Sequence, residues 1–339
     1  MDSQTPQPNA TRPRVCAVVV TFNRPQLLRR CLEGLRAQTR GLDTVLVVDN
    51  ASTDETVAML REEFAWCEVL ELPSNVGGSG GFAAGVKHAF ERGFEWIWLM
   101  DDDGVPAPDC LEKLFAFNGS EEADQRGGTV LVPVQRDSTG VFYGFAFWRF
   151  GEMQITPQVL EQHERGETGA SLVPRGRAPV FRFVGPLVSR RVIERAGLPR
   201  ADYFIWFDDI EFALRVHKRG KTRVHFVPDA LFHHDFRAMV REVRRWGKTR
   251  VRPFQPSWKL YYLARNHLYS LRKNHHPLGD FVHFLFPNQL RGMIGELLFD
   301  PDGRERAGMR LRGLRDGMLG RMGKQVDPAA KSGRPDKHR

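Results

Sequence analysis

The stretch Trp96-Ile97-Trp98-Leu99-Met100-Asp101-Asp102-Asp103-Gly104 constrains this chain more than any other. Five large apolar residues rich in aromatic and β-favouring types read as a strand buried on both faces. Three adjacent carboxylates cannot follow them inward, because burying unpaired charge costs several kcal/mol or more. They belong at the strand's carboxyl end, where open α/β sheets place their ligands. Mutual repulsion then calls for something cationic beside them. Asp101 and Asp103 point the same way along an extended segment, so together they can hold one divalent cation through oxygen. The plain alternative is a solvated acidic turn.

The flanking segments repeat the theme. Val15 to Thr21 is a second buried strand, and Pro25 opens a helix with Leu27, Leu28, Cys31, Leu32 and Leu35 at three- and four-residue steps. Thr44 to Val48 runs into Asp49. Ser52 and Glu55 form a capping box ahead of Val57, Met59 and Leu60, and Cys67 to Leu72 is a third strand. Alternating strands and helices predict right-handed crossovers and a mostly parallel sheet, an α/β class. Asn75-Val76-Gly77-Gly78-Ser79-Gly80-Gly81 then leads into a helix over Phe82 to Phe90, an arrangement that lets backbone amides approach a phosphate or sugar. Gly78-x-Gly80-x-x-Ala83 also satisfies the relaxed dinucleotide fingerprint, with Asp101 about twenty residues on. That reading is weakened because the run follows the third strand rather than the first.

Gly128 to Val134 is a further strand. The aromatic stretch Phe142 to Phe150 predicts an antiparallel face followed by a mobile loop, and order resumes at Phe183 to Val188 before a helix near Arg190 to Ala196. Tyr203-Phe204-Ile205-Trp206-Phe207-Asp208-Asp209-Ile210-Glu211 is a second place where aromatics lead into paired acids, ahead of a helix over Ile210 to Arg219. A cap on that helix accounts for Asp208 but not for a second adjacent acid. Val224 to Pro228 is a strand, and the tandem His233-His234 after it are candidate metal ligands. Residues 257–273 are amphipathic, apolar at Leu260, Leu263, Leu268 and Leu271, and Phe281 to Leu298 mixes apolar and basic residues in a similar way.

Four scattered cysteines, Cys16, Cys31, Cys67 and Cys110, give neither a zinc motif nor a disulfide framework, which points to a reducing compartment. No apolar leader opens the sequence and no run of 18 apolar residues occurs. The net charge of +9 gathers late, from Arg237 to Arg252 and from Arg304 to Arg321. Such an excess suits an anionic partner: nucleic acid, an acidic membrane or a phosphorylated substrate.

In order along the chain, Val-Val-Thr-Phe-Asn-Arg (19–24), Val-Val-Asp-Asn-Ala-Ser-Thr-Asp (47–54), Asn-Val-Gly-Gly-Ser-Gly-Gly-Phe (75–82), Trp-Leu-Met-Asp-Asp-Asp-Gly (98–104), Trp-Phe-Asp-Asp-Ile-Glu-Phe (206–212) and Val-Pro-Asp-Ala-Leu-Phe-His-His (227–234) resemble the inverting family-2 glycosyltransferases of the GT-A fold. Tyr-Leu-Ala-Arg-Asn-His (262–267) is similar to a later segment of that group. The likeness is greatest to bacterial galactofuranosyl- and rhamnosyltransferases of cell-envelope polysaccharide synthesis.

The resemblance implies a Rossmann-like nucleotide-binding α/β/α sandwich with a C-terminal helical extension. Its expected layout is a GT-A domain over 13–240, with a nucleotide-sugar half (13–133) and an acceptor half (134–240). A basic amphipathic helical region over 241–326 and disordered tails at 1–12 and 327–339 complete it. Thr21, Asn23, Asp49, Asn75, Gly77, Gly78, Ser79, Gly80, Asp101 and Asp102 would seat a UDP- or dTDP-linked sugar. Asp101, Asp103 and His234 would hold Mn2+ or Mg2+, with His233 leaving the histidine ambiguous. Asp209 would be the general base with Asp208 beside it, and Trp206 and Glu211 would face the acceptor, a glycan on a lipid carrier. Residues 237–325, with Trp246, Trp258, Tyr261, Phe281 and Phe284, would rest on the anionic inner face of the cytoplasmic membrane, with no nucleic-acid partner. The rivals are a dinucleotide oxidoreductase on the Gly78–Ala83 loop and a non-enzymatic basic adaptor.

Overall fold

The computed structural model describes residues 12–117, 128–138, 142–143, 146–149, 152–155, 178–219, 222–235, 240–245, 248–273 and 278–328. Val15–Thr21 (β1) is buried along all seven residues. Pro25–Arg36 (α1) buries Leu28, Cys31, Leu32 and Leu35, the stripe its spacing predicts. Thr44–Asp49 (β2), Thr56–Glu63 (α2), Glu68–Glu71 (β3), Gly77–Glu91 (α3) and Trp96–Asp101 (β4) follow, and β1 pairs in parallel with both β2 and β4. Alternate residues of β1 divide between two cores. Cys16, Val18 and Val20 pack with Phe82 and Val86 of α3, while Val15, Ala17 and Val19 pack with Leu28 and Leu32 of α1. Each such fully buried aliphatic side chain contributes about 1.5–3 kcal/mol.

Gly104–Pro106 (β5), Cys110–Ala116 (α4) and Thr129–Arg136 (β6) come next. Phe142–Tyr143 (β7) pairs with β6, and Ala146–Arg149 (β8), Glu152–Ile155 (β9) and Ala178–Val180 (β10) form a small antiparallel sheet. Leu187–Ser189 (β11) inserts antiparallel between β4 and β6, and the long strand Arg223–His234 (β12) runs parallel to β6. The large sheet therefore reads β3-β2-β1-β4-β11-β6-β12-β5. Its register fixes the functional edge. Thr21 lies opposite Asp49, Val20 opposite Asp101, and the last residue of β12, His234, opposite Gly104. A β-bulge between Val227 and Leu231 lets β12 reach that far.

Several expectations change. The glycine run is not a loop before a helix: α3 starts at Gly77 and takes the glycines as its first turn. The Ser52/Glu55 capping box does not form, because Ser52 Oγ accepts the Asn23 amide and Asp54 Oδ1 instead accepts both the amide and the hydroxyl of Thr56. The second acidic helix begins at Asp208, two residues early. Residues 241–326 are not wholly helical, since Val240–Arg245 and Lys248–Pro253 form an antiparallel ribbon. Helices Ser257–Lys273, Leu278–His283, Arg291–Phe299 and Gly303–Leu319 follow it, with a π-helical turn over Phe284–Leu290. The loop expected after the aromatic stretch, Trp246 and nearly all of both tails lie outside the described residues. Among the described residues, no helix is long and apolar enough to cross a membrane.

Candidate active site

Arg24 sits just past β1 and donates from one guanidinium nitrogen to Asp102 Oδ1 and Asp103 Oδ2, each at 3.2 Å. It is the cation that the three adjacent acids require. Asp102 turns inward, where Thr21 Oγ1 donates to it at 2.7 Å. Burial lifts the Asp102 carboxyl to about 6 against the pull of Arg24 and Thr21. Asp101 and Asp103 instead line an open cleft of about 570 Å3 together with His234. Asp103 Oδ1 lies 3.1 Å from His234 Nε2. Burial alone would raise Asp103, but the His234 hydrogen bond and charge, with Arg24, outweigh it and hold the carboxyl below its ordinary value. Asp101 goes the other way, raised by burial and by the charges of Asp103, Asp102 and Asp208. His233, one step along an alternating strand, is exposed and does not line the cleft.

The opposite wall carries Trp206, Asp208 and Asp209. Adjacent residues opening a helix diverge by about 100°, which predicts that only one acid faces the cleft; both do. Three left-handed residues, Phe204, Trp206 and Phe207 (φ +67°, +64° and +68°), turn the chain just before them. Asp208 is not set back from the helix as a cap but is its first residue, and the Ile210 amide donates to Asp209 Oδ1 at 2.7 Å. Burial, then the neighbouring Asp209, raises the Asp208 carboxyl to about 8. Burial also raises Asp209, opposed chiefly by the Arg182 guanidinium. Glu211 turns away from the cleft: it is buried and bonded through both oxygens to Arg215, at 2.9 Å each.

Of the other expected donor residues, Gly78 and Ser79 line the cleft. Thr21, Asn23, Asp49 and Asn75 are not among its lining residues, and the last three accept backbone amides. Asp49 accepts the Ser52 amide, Asn23 Oδ1 accepts the Thr53 amide, and Asn75 Oδ1 accepts the Gly77 amide. Gly77 is itself structural, for a Cβ there would lie 1.9 Å from the Phe204 carbonyl oxygen. Gly80 packs on Val76. Sequence reasoning missed the cleft's cations, Arg24, Arg182 and Lys259. Arg24 was within reach, as the only basic residue of the 19–24 segment. Lys259 and Arg182 come from segments whose approach no spacing reveals.

A divalent cation fits this wall in one respect and not another. Two carboxylates and an imidazole offer hard oxygen and nitrogen donors on one side of the cleft. Among the described residues, however, no three such side chains converge as a closed ligand set. That matches the habit of Mg2+ in phosphate sites, where one or two carboxylates suffice and substrate phosphates and water supply the rest.

The family model "Glycosyl transferase family 2" matches residues 16–174. The chain is 31% identical over 209 residues to galactofuranosyltransferase GlfT1 of Mycolicibacterium smegmatis, covering 61% of this chain and 66% of that protein. The matched part thus spans just under two thirds of that relative. Identity to the dTDP-rhamnosyl transferase RfbF of Shigella flexneri is 25% over 274 residues, covering 78% and 82%. Among solved structures, S. aureus TarS 1-349 in complex with UDP-GlcNAc superposes with a TM-score of 0.55 at 15% identity, covering 90% of this chain and 81% of that one. GalNAc-T7 with UDP, GalNAc and Mn2+ gives 0.53 at 14%, covering 92% and 57%. These likenesses establish the fold as that of GT-A glycosyltransferases.

Proposed function

We propose that this chain, whose residues 16–174 match the family model for glycosyl transferase family 2, is a member of that family and moves galactofuranose or rhamnose from a nucleotide-diphosphate donor to a glycan hydroxyl with inversion. The observation that carries this reading is the pairing of two acidic clusters, Asp101/Asp103 and Asp208/Asp209, across one cleft floored by Gly78 and Ser79 of α3. Helix N-terminal amides and the Arg24 and Lys259 cations suit a diphosphate entering from the sheet edge. Asp101, Asp103 and His234 would hold Mn2+ or Mg2+, which when bound neutralises charge growing on the leaving diphosphate.

Asp209 takes the acceptor's hydroxyl proton as that oxygen bonds the anomeric carbon and the bond to the diphosphate breaks. A base must be ionised at working pH. Burial raises both carboxyls, Asp208 to about 8, but only at Asp209 does a guanidinium, that of Arg182, oppose the rise. This division of labour favours Asp209 as base. The two acidic clusters facing one another across the cleft suit a single displacement, with the cation site on the leaving-group side and the base on the acceptor side.

A dinucleotide reaction fits less well. The glycine run follows β3, and its cleft-lining members, Gly78 and Ser79, share the cleft with carboxylates that would repel a pyrophosphate lacking a cation. A thermal-shift panel of UDP-galactofuranose, dTDP-rhamnose and NAD with and without Mn2+ tests the proposal, since a ligand bound only by the folded state raises Tm. A metal-dependent shift with one nucleotide-sugar, followed by transfer of its sugar, is expected. A shift with NAD and none with either sugar nucleotide would refute the reading.

A further inference from the structure

We propose that Asn266, seated by Arg265, is the positioning residue of the acidic pair: its side-chain amide holds residues 203–206 in the shape that presents Asp208 and Asp209 to the cleft. The inference rests on the reading of Asp209 as base. Phe204, Trp206 and Phe207 all have φ between +64° and +68°. Such conformations cost non-glycine residues of order 1–3 kcal/mol each and persist only where the surroundings over-determine them. Here the surroundings are one face of the helix Ser257–Lys273.

Asn266 Nδ2 lies 2.7 Å from the Ile205 carbonyl oxygen, 2.9 Å from that of Trp206 and 3.1 Å from that of Tyr203. One amide group with two hydrogens thereby bridges three carbonyls, which is possible only if the chain folds back on itself over that nitrogen. The amide is itself fixed. Arg265 Nε donates to Asn266 Oδ1 at 2.8 Å, and the same guanidinium donates to the Tyr203 carbonyl at 2.7 Å. Both side chains are wholly buried at 0% exposure, so neither exchanges these partners for water.

The rest of the helix supports the grip. Phe204 stacks on Tyr262 and Phe207 on His267, with ring centroids 4.9 and 4.5 Å apart, and the Tyr203 hydroxyl lies 2.8 Å from Ser270 Oγ. Behind it, helix Gly303–Leu319 packs at backbone distance: a Cβ on Gly313 would meet the Tyr261 carbonyl oxygen at 2.3 Å, and one on Gly317 that of Arg265 at 2.6 Å. On its other side the segment docks against the donor wall, where the Ser79 amide donates to the Phe204 carbonyl. The helix Ser257–Lys273 thus sets the distance between base and donor through Asn266, while Lys259, about two turns earlier, lines the cleft itself.

The experiment is Asn266→Ala in the full chain, with kcat, donor affinity by calorimetry, Tm and amide hydrogen exchange measured together. A misplaced base costs about 10²-fold in kcat, while donor binding on the opposite wall is expected to hold within about twofold. Exchange should quicken at 204–209 and not across β1, β2 and β4. Asn266→Gln keeps the donor group on a longer arm, so it should fold even if the alanine variant does not. It should lose less kcat with the same local exchange signature. Equal losses of donor affinity and kcat, or exchange that rises evenly through the sheet, would show a general structural role and overturn the proposal. So would unchanged exchange at 204–209. Exchange needs no substrate, so it still decides this question if no tested sugar is transferred.

Discussion

Asp103 and His234 meet at 3.1 Å at the rim of the large sheet, one from the turn after β4 and the other from the last position of β12. The contact exists because β12 pairs with β5, placing His234 opposite Gly104. It sorts the tandem histidines: His234 faces the cleft and His233 does not. Hydrogen bonds to charged groups contribute about 1.5–3 kcal/mol, and every 1.4 kcal/mol is tenfold in affinity. Asp103→Ala and His234→Ala are therefore each expected to weaken Mn2+-dependent donor binding about tenfold to hundredfold by calorimetry. His233→Ala should leave it unchanged. Equal effects at 233 and 234 would overturn the ligand assignment.

Asp209→Asn keeps the shape of the side chain and removes the proton acceptor. Turnover should fall by about 10² to 10⁴ while donor affinity persists. Asp208→Asn should cost less, because Asp208 is already protonated near neutrality with its carboxyl at about 8. If Asp208→Asn abolishes transfer and Asp209→Asn spares it, the roles are exchanged.

Asp208 also makes stability depend on pH. Its folded-state carboxyl is raised from an ordinary 3.8 to about 8, so the native state binds the proton more tightly than the unfolded chain. Stability from this group is complete below about pH 4 and is lost as pH rises through about 8. Metal-free protein scanned from pH 5 to 8 should lose Tm, and Asp208→Asn should lose less. A steeper decline in the variant would contradict the burial argument.

Adjacent glycines separate structure from function. At Gly77 (φ +75°) a Cβ would collide with the Phe204 carbonyl, whereas at Gly78 nothing lies within 4 Å. Gly77→Ala should lower stability by more than the roughly 1–3 kcal/mol that a strained backbone costs, because the clash adds to it. Gly78→Ala should keep Tm and weaken the donor, since its new methyl enters the cleft. Denaturant titration and calorimetry of both variants check this. Equal destabilisation would remove Gly78 from the binding surface.

What was legible in the sequence had a local cause. β1, β2 and β4 are runs buried on both faces, and the acids that close β2 and β4, Asp49 and Asp101, had nowhere to go but the edge. The cleft's far side was less legible. Choosing between His233 and His234 needs the register beyond the Val227–Leu231 bulge. The inward turn of Asp102 needs Thr21 and Arg24, and the pairing of Glu211 with Arg215 competes with an acceptor role that its position alone allowed. Asn266 acts through packing between distant segments, which no periodicity encodes. Composition also misjudged which aromatics of the basic region are exposed. Tyr261 and Phe284 are fully buried in the helical region, because an aromatic on an amphipathic helix serves core and surface equally well.

The exposed apolar residues of that region are instead aliphatic, with one phenylalanine. Leu278, Val282, Phe286, Leu290, Ile294 and Leu297 stand out along one continuous helical run, with Leu278 78% and Phe286 62% exposed. Steps of four drift by about 40° per step on an α-helix. The π-helical turn over Phe284–Leu290 rotates less per residue and so counters that drift, keeping the stripe together. A contiguous apolar stripe marks an interaction surface, and exposed arginines at 291, 304, 315 and 321 favour an anionic bilayer as its partner. Burying a Leu or Phe fully contributes about 1.5–3 kcal/mol, so charging two half-exposed ones should cost about 3 kcal/mol in all, or about a hundredfold. Flotation with anionic liposomes at low salt is expected for the native chain, weakened in high salt and lost in Phe286→Glu/Leu297→Glu. Sedimentation supplies the competing outcome: a dimer that the same double variant splits, with no flotation by the native chain, would assign the stripe to a second copy instead.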